Sequence, residues 1–431
     1  MTKHADVPSD RVVSDLAASF DPFHDPYLAN PYAFLAKARK DEPVFYSPEL
    51  DYYVVTRYED VQRCFRDQDS FSATIALEPL SPLFESSLRK VIEIGYVPGP
   101  ILVNEDPPEH SIRRRRLSSH FTPQRAKDLD PRIRRLVNDY IDVFVKRGSA
   151  DLVADFVWEI PALVAFIVMG VPEEDVAIVK KFAARRTLFT WGRPTEEEQN
   201  RLVDELGEYW NYCKYHVARM KANPGDDFVS EAVRAHNEAP ELFDTVYLNN
   251  LMLNFLFAGH ETTTGASANG LRTLLEHRDQ WDELCRNAAL VPNAVEEILR
   301  YDTSVIAWRR RAKKTVRIGD VEVPEGAKLL IVSGSANRDD AMFPSGETFD
   351  IRRHGANRHL SFGSGAHMCM GAPLARMEMQ IILEELTRRL PHLLLVPGQN
   401  WSYSPNTSFR GPEHILVTWE PGKNPLPEDR P

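Results

Sequence analysis

Residues 362–371 read FGSGAHMCMG, and this stretch decides how the rest of the chain is interpreted. Gly363 and Gly365 allow a tight turn that residues with a Cβ would resist, and Gly371 lets a flat molecule approach the backbone closely. Cys369 stands just before a helix-forming run, residues 372–390. The free N–H groups and positive dipole end of such a helix lower a thiol's pKa, so we expect Cys369 to be a thiolate.

The spacing Phe-Gly-x-Gly-x-His-x-Cys-x-Gly resembles the haem-binding loop of the cytochrome P450 family. The resemblance implies that Cys369 is the axial ligand of the iron of haem b, a thiolate that favours cleavage of the O–O bond. It also implies that His367 donates to a haem propionate. Four loop residues would lie against the cofactor, namely Phe362, Gly363, Gly365 and Gly371.

The composition and the apolar runs argue against a nucleic-acid-binding protein, a disulfide- or zinc-stabilised protein and a membrane protein. A net charge of -11 and a pI near 5.7 argue against nucleic-acid binding. The four cysteines are far apart and form no zinc or disulfide pattern, which predicts that the three other than Cys369 are buried thiols in a reducing compartment, the cytoplasm. The N-terminus lacks a signal peptide, and the longest apolar run, residues 160–171, is too short to cross a bilayer. We therefore expect no membrane association.

Periodicity predicts a mainly α fold with small β-sheets, in a single large domain. An alternating aromatic and β-branched pattern predicts a hairpin over residues 43–56, and most other segments have helical period. Shorter β segments are predicted at residues 315–323, 328–332 and 414–419. We expect residues 1–420 to form the haem-thiolate domain and the proline-rich residues 421–431 to form a stiff tail or the start of a linker. The resemblance implies the cytochrome P450 fold, with haem between a long central helix and the Cys369 loop.

That central helix is predicted over residues 244–277 and reads AGHETTT from Ala258 onward. Gly259 costs about 1 kcal/mol inside a helix, and threonine hydroxyls can bond backward to carbonyls, so we expect the helix to be loosened here. The segment resembles the family's A-G-x-[D/E]-T motif, which implies that Ala258 and Gly259 pass over the oxygen-binding face of haem. It further implies that Thr262 and Glu261 deliver protons while bulk water stays out.

Three further positions are candidate partners of the haem propionates. His110 and Arg114 lie four residues apart in DPPEHSIRRRRLSSHFTP and would share a helix face. The segment resembles the family's HxxxR helix, whose pair binds propionates. Arg310, in VIAWRRRA, aligns with a family R-x-A contact, and Arg309 or Arg311 remains an alternative.

Glu297 and Arg300, in AVEEILRY, have the spacing of the family's ExxR motif, a buried network that braces the haem-ligand loop. Spaced at i and i+3, they could equally form a surface pair worth about 0.2–0.5 kcal/mol. Thr348 occupies the position where family members often carry the third arm of the network. Arg353 or Arg352 must therefore supply that arm, if any residue does.

Apolar residues near these motifs form the candidate substrate pocket. The proline-rich loop at residues 75–101 corresponds to a family segment that covers the pocket. Residues 189–198 join two helical runs that correspond to a family lid, with Gly192 and Pro194 as a candidate hinge. The predicted pocket residues are Ile101, Leu102, Ala258, Val305, Ile306, Ala307 and Phe409. Their apolar character favours a small hydrophobic or aromatic substrate.

The resemblance implies monooxygenation, in which one atom of O₂ enters an organic substrate and electrons come ultimately from NAD(P)H. The sequence has no flavin or nicotinamide fingerprint, so a ferredoxin- or FMN-type reductase must supply the electrons. Stretches such as SFDPFHDPYLANPYAF resemble the haem domains of self-sufficient bacterial members, which are fused to a reductase with FMN and a [2Fe–2S] cluster; separate electron-transfer proteins are the alternative. A basic patch for an acidic donor is predicted from Arg113, Arg115, Arg116, Arg352 and Arg376.

Two other function classes remain open from the sequence. A peroxygenase driven by H₂O₂ typically lacks the acid–threonine pair, and a non-enzymatic haem-thiolate sensor would need no proton relay. Glu261 and Thr262 therefore favour the monooxygenase.

Overall fold

The computed structural model describes residues 13–179 and 186–424, and it confirms the predicted mainly helical fold with small sheets. Its α-helices are α1 (Asp15–Ala18), α2 (Pro31–Asp41), α3 (Tyr58–Arg66), α4 (Glu85–Glu93), α5 (Glu109–Leu117), α6 (Pro123–Phe144), α7 (Glu159–Met169), α8 (Val176–Val179), α9 (Arg186–Trp191), α10 (Glu196–Ala222), α11 (Phe228–Glu238), α12 (Thr245–Glu276), α13 (Arg278–Arg286), α14 (Val291–Tyr301), α15 (Ser333–Ala336) and α16 (Ala372–Arg389). Its strands are β1 (Val44–Ser47), β2 (Tyr52–Val55), β3 (Phe71–Ser72), β4 (Ser149–Asp151), β5 (Trp308–Ala312), β6 (Val316–Ile318), β7 (Val321–Val323), β8 (Lys328–Ile331), β9 (Leu394–Leu395) and β10 (Leu416–Thr418).

The largest sheet has the strand order β1-β2-β8-β5-β3. The predicted hairpin is confirmed, because β1 and β2 pair antiparallel with Val44 opposite Val55. Strand β8 lies parallel to β2 and antiparallel to β5, which carries the three consecutive arginines. The predicted segment 315–323 forms the β6–β7 hairpin, and the predicted segment 414–419 contains β10, which pairs with β4 and β9, two strands that were not predicted.

Helix α12 is the central element, and it packs against α7, α10, α14 and α16. Asp244 caps it by accepting a hydrogen bond from the N–H of Tyr247 at 2.7 Å. The predicted loosening at Gly259 is wrong, because α12 remains α-helical from Thr245 to Glu276. The glycine instead permits close packing, since a Cβ there would lie 3.2 Å from the Cβ of Ala165 on α7.

The junction between α9 and α10 is anchored to the C-terminal loop. Gly192 forms a β-bridge with Asn406, and a Cβ at Gly192 would lie 2.6 Å from a methyl carbon of Leu188. Helix α10 then begins with a capping box between Thr195 and Glu198. Residues 180–185, part of the first predicted helical run of this lid, lie outside the described residues.

The N-terminal segment is tied to the C-terminal loop through Arg410. Its guanidinium donates to the carbonyls of Leu28 at 2.7 Å and Ala29 at 2.8 Å. It also lies 3.5 Å from the carboxylate of Asp302, which accepts a hydrogen bond from Tyr32 at 2.7 Å. The two hydrogen bonds to Leu28 and Ala29 join segments more than 370 residues apart in the chain.

Three of the cysteines pack into the protein as predicted, with Cys64 and Cys213 buried and Cys285 half-buried. Within the described residues, every helix is too short or too polar to cross a membrane. Most of the predicted proline-rich tail, residues 425–431, lies outside the described part of the chain.

Candidate active site

An inner cavity of about 290 Å³ lies between α12 and the Cys369 loop. The predicted cofactor and catalytic residues that line it are Arg114, Ala258, Gly259, Thr262, Arg310, Phe362, Gly363, His367, Cys369 and Gly371. Three others do not reach its wall. His110 is buried behind His367, Gly365 packs against Arg66, and Glu261 is half-buried one position before Thr262.

The Cys369 loop is held in a tight conformation by its glycines. Gly363 and Gly365 have φ angles of 70° and 72°, which L side chains rarely adopt. The loop is closed by a hydrogen bond from the N–H of Cys369 to the carbonyl of Phe362 at 2.8 Å. A Cβ on Gly371 would meet only the Sγ of Cys369, at 3.8 Å, so its open side faces the cavity. The loop therefore presents a thiol and bare backbone to that space.

Cys369 lies on the cavity wall and is exposed to that space, whereas desolvation by the surrounding protein raises the pKa of its thiol. The backbone N–H of Gly371, the charge of Arg114 and the N–H of Ala372 lower the pKa by smaller amounts. The N–H groups at the helix terminus thus lower the pKa as predicted, and the thiolate state itself stays a prediction. An electrophilic ligand in the cavity is needed to favour the ionised sulfur.

Two histidines and two arginines meet at one end of the cavity. The rings of His110 and His367 stack with centroids 3.9 Å apart. Burial, then Arg114, lowers the pKa of His110 to about 4, and burial, then Arg310, lowers the pKa of His367 to about 3. Both rings are therefore neutral at pH 7. His367 Nδ1 bonds the carbonyl of Leu102 at 3.1 Å.

The two arginines at this end are cations without a counter-ion. Burial lowers the pKa of Arg310 to about 10, so it stays charged at pH 7. Its Nη1 donates to the carbonyl of Arg309 at 2.9 Å, and Arg114 donates to the carbonyl of Met368. Neither guanidinium makes an ion pair with a carboxylate of the described residues, and neither nitrogen of His110 has a hydrogen-bond partner there. An uncompensated buried charge is costly, so this end of the cavity is suited to an anion.

Of the three consecutive arginines, only Arg310 lines the inner cavity. Successive side chains of a strand point to opposite faces, so the neighbours of Arg310 on β5 point away from the cavity. Arg309 is buried on the other side, where it donates to the carbonyl of Ala76 at 2.9 Å, and Arg311 lies near the exposed Glu78 at 3.5 Å.

Glu297, Arg300 and Arg353 form a buried network beneath the loop. Arg300 donates to Glu297 through Nε at 2.7 Å and Nη2 at 2.8 Å, and neither residue is exposed. Arg353 supplies the third arm, with its Nε 3.1 Å from Glu297. Arg352 instead pairs with the surface residue Glu283.

The α12 wall of the cavity carries a hydroxyl opposite the thiol wall. Thr262 Oγ1 donates to the carbonyl of Ala258, one turn earlier, at 2.8 Å. This is the backward hydrogen bond that the sequence predicted for the threonine-rich segment. The hydroxyl is thereby held at the cavity surface without interrupting the helix.

The predicted pocket is partly correct. Ile101, Leu102, Ala258, Val305 and Phe409 line the inner cavity. Ile306 and Ala307 do not, because both are buried in a separate core with Phe45 and Val332. The chain bridges Val305 to Phe409 and then enters β5, so the side chain that returns to the cavity is Trp308.

Sequence reasoning missed an aromatic cluster on this wall. Trp191, Phe257 and Trp308 join Phe409, with Trp191 stacked on Phe257 at 5.2 Å and tilted against Phe409 at 4.6 Å. The tryptophans in FTW and AWRRR, beside segments already assigned to the pocket, were the available signal.

Glu378 of α16 was also missed. It lines the cavity, is 2% exposed, and burial raises its pKa well above the usual value of 4.5. Its Oε2 has no hydrogen-bond partner among the described residues. Burial therefore favours the neutral carboxyl, which nothing in the local sequence indicates.

The predicted basic patch is largely neutralised. Four of its arginines pair with carboxylates from neighbouring elements: Arg113 with Glu105, Arg116 with Glu231, Arg352 with Glu283 and Arg376 with Glu296. Arg115 remains exposed with no carboxylate partner in the described part of the chain. Charges counted from sequence alone missed these partners, which other helices contribute.

A thiol facing a hydroxyl-bearing helix, with buried cations at one end of the space between them, defines a haem-binding protein with a cysteine ligand. The sequence profile of the cytochrome P450 family matches residues 45–409. The chain is 34% identical to cytochrome P450(MEG) of Priestia megaterium over 86% of this chain and 89% of that protein. The chain belongs to the cytochrome P450 family, and it is a haem b-binding oxygenase.

Solved structures of cytochromes P450 agree with this family assignment. The intact type IV self-sufficient cytochrome P450 monooxygenase superimposes with a TM-score of 0.95 and 48% identity, over 98% of this chain and 55% of that one. The haem domain of Tepidiphilus thermophilus P450 superimposes with a TM-score of 0.93 and 41% identity, over 96% of this chain and 99% of that one. The chain therefore spans just over half of the self-sufficient protein. As an oxygenase of this family it uses O₂, an organic substrate and a redox partner.

Proposed function

We propose that this chain is the haem domain of a cytoplasmic monooxygenase that hydroxylates or O-dealkylates small hydrophobic or aromatic molecules. The observation that supports this most directly is that the Cys369 thiol and the Thr262 hydroxyl line opposite walls of one cavity. We propose residues 1–420 as the domain and residues 421–431 as the start of a linker.

The residues present fit haem b. Cys369 would be the iron ligand, and Arg114, Arg310 and the neutral His110 would donate to the propionates, which supply the missing counter-charge. The single N–H of a neutral His367 is used by the carbonyl of Leu102, so His367 would donate to a propionate only in its protonated form. The bare backbone at Gly363 and Gly371 and the small residues on α12 leave room for a flat macrocycle. When bound, haem supplies the redox chemistry that activates O₂.

Thr262 and Glu261 are proposed to manage protons. The Thr262 hydroxyl already has an acceptor in Ala258, so a rotation about one bond redirects its proton into the cavity. Glu261 lies one position before Thr262 on the same helix, and it can return a proton to that hydroxyl through a water molecule. The apolar walls keep bulk water from the reacting atoms. This pair supports the monooxygenase over a peroxide-driven enzyme or a sensor.

The aromatic cluster supports an aromatic substrate. Rings favour offset or edge-to-face contact with other rings, and Trp191, Phe257, Trp308 and Phe409, which all line the cavity, already meet one another in both ways. Apolar lining from Ile101 completes this side of the pocket.

Electrons would arrive at the outer side of the Cys369 loop from an FMN and [2Fe–2S] reductase, fused in the full-length protein. The similarity to a self-sufficient enzyme of nearly twice this length supports the fusion. Ile112 and Met368 are 45% and 43% exposed at this surface, and the exposed Arg66 bonds Ser364 of the loop at 2.8 Å. With Arg115, this surface combines apolar contact with two positive charges.

Charge reversal tests the docking surface. Arg66→Glu with Arg115→Glu should slow reduction of the haem domain and weaken its salt dependence. The control is Lys214→Glu. Lys214 lies on α10 and not at the Cys369 loop, so this variant should leave the reduction rate unchanged. Equal rates in all three proteins would reject this surface.

The carbon monoxide spectrum of the reduced protein tests the proposed function itself. We expect the red-shifted Soret band of a thiolate-ligated haem, its loss in Cys369→Ala, and NAD(P)H-driven oxidation of a small aromatic ether with an added reductase. A haem-loaded protein without that band, or one that keeps it in Cys369→Ala, would contradict the proposal.

A further inference from the structure

An ion pair between α14 and α16 borders the Cys369 loop. Glu296 of α14 accepts two hydrogen bonds from Arg376 of α16, one from Nε at 2.6 Å and one from Nη2 at 3.0 Å. The side chains of Glu296 and Arg376 are 13% and 27% exposed, so most of the pair is withdrawn from solvent. A bidentate contact of this kind fixes the orientation of the guanidinium as well as its distance.

His359 fixes the state of the carboxylate. The backbone N–H of Ser361 donates to Nδ1 of His359 at 3.2 Å, so the proton of the neutral ring is on Nε2. That Nε2 lies 3.2 Å from Glu296. Burial alone would raise the pKa of Glu296, but the hydrogen bonds from His359 and Arg376 lower it to about 2. Burial also lowers the pKa of His359, so at pH 7 the carboxylate is charged and the ring is neutral.

The Arg376 cation lies on the loop side of the pair. Its guanidinium carbon is 4.6 Å from the centroid of the Phe362 ring, and the carbonyl of Phe362 accepts the hydrogen bond from the N–H of Cys369. Desolvation raises the pKa of the Cys369 thiol, and the charge of Arg376 is one of the smaller effects that lower it. The pair therefore has its positive end at the Cys369 loop and its negative end at His359.

We propose that the Glu296–Arg376 pair sets the reduction potential of the haem, with Glu296 as a positioning residue that holds the Arg376 cation beside the Cys369 loop. A nearby cation favours reduced over oxidised iron, and the carboxylate behind it limits that effect. Transfer of an electron from a donor depends on this potential, so the pair sets how readily the haem is reduced. The inference rests on the proposed function, because it takes Cys369 as the iron ligand.

Anaerobic spectroelectrochemistry of the haem-loaded variants at pH 8.5 tests the proposal. That pH is above the ordinary pKa of histidine, so His359 stays neutral. Glu296→Gln keeps an oxygen that accepts from Arg376 but removes the negative charge, so the potential should rise. Arg376→Met leaves the negative charge alone, so the potential should fall. We expect each change to shift the ferric–ferrous equilibrium about five- to tenfold, or about 40–60 mV for one electron.

The double variant separates charge from structural damage. Glu296→Gln combined with Arg376→Met removes both charges, and its potential should return to within about twofold of the wild-type equilibrium, or about 20 mV. The control is Glu283→Gln, which breaks the surface pair with Arg352 and should leave the potential unchanged. A purely structural role would instead move both single variants in the same direction and the double variant further.

That structural pattern would overturn the proposal, and so would unchanged potentials in both single variants. If Arg376→Met does not retain haem, Glu296→Gln decides alone, and an unchanged or lower potential in it would overturn the proposal. The carbon monoxide spectrum of the wild-type protein decides the proposed function separately, because its Soret band reports the iron ligand and not the reduction potential.

Discussion

Replacing Glu297 by glutamine should destabilise the protein by about 3 kcal/mol. Glu297 accepts hydrogen bonds from Arg300 at 2.7 and 2.8 Å, from Arg353 at 3.1 Å and from the N–H of Asp350 at 2.9 Å. Neither Glu297 nor Arg300 is exposed. Removing one member of a buried ion pair costs about 3–5 kcal/mol, because the other charge remains in a medium of low dielectric constant. Glutamine keeps one acceptor oxygen, which favours the lower end of that range.

The effect should extend to the Cys369 loop. Arg300 also donates to the carbonyl of Asn337 at 2.8 Å, and the Asn337 side chain binds the N–H of Leu360 at 2.7 Å and the hydroxyl of Ser361 at 2.8 Å. Glu297→Gln should therefore release haem faster than the wild-type protein does.

Urea unfolding of the haem-loaded protein, followed by fluorescence and Soret absorbance, measures the loss of stability. The control is Glu283→Gln, which breaks the surface pair with Arg352 and should leave stability unchanged. A loss of stability below about 1 kcal/mol would show that Arg300 is not left as an uncompensated buried charge in Glu297→Gln. That result would refute the expected cost of breaking this ion pair.

Three further outcomes are expected. Thr262→Ala should lower product formation at least tenfold and raise release of H₂O₂, whereas Thr262→Ser should retain coupling because it keeps the hydroxyl; equal coupling in both variants would exclude the proton role. Arg310→Met should leave the apoprotein as stable or more stable and speed haem transfer to apomyoglobin about tenfold; an unchanged transfer rate would exclude a propionate contact. Glu378 has a raised pKa in the folded state, so the stabilisation from its proton is complete below pH 4.5 and is lost as pH rises. The melting temperature should therefore fall less between pH 5 and pH 8 in Glu378→Gln than in the wild-type protein. An equal fall in both proteins would contradict this.

The sequence predicted the elements that depend on local spacing. The hairpin at residues 43–56, the extent of α12 and the glycine turns of the Cys369 loop follow from patterns within one segment. The backward hydrogen bond of Thr262 follows from threonine chemistry inside a helix. Such features need no knowledge of what packs against them.

Features that depend on distant partners were harder to predict. Arg116 looked like a free surface charge because Glu231 lies more than 100 residues away in sequence. Gly259 was interpreted as a weak point of the helix, whereas its role is set by Ala165 of a different helix. Desolvation raises the pKa of Cys369, an effect that depends on the surrounding elements and that the local helix terminus does not indicate. The aromatic cluster likewise combines α9, α12, β5 and the C-terminal loop.

The bonds from Arg410 to Leu28 and Ala29 have a practical consequence for shortened or chimeric versions of this enzyme. Arg410 follows Phe409, which lines the inner cavity. The N-terminal segment therefore supports the cavity wall from the outside through its bonds to Arg410. The same segment buries Phe20 and Phe23 in a core with Val332, so deleting it up to Pro31 should lower the stability of the domain as well as loosen the cavity wall at Phe409.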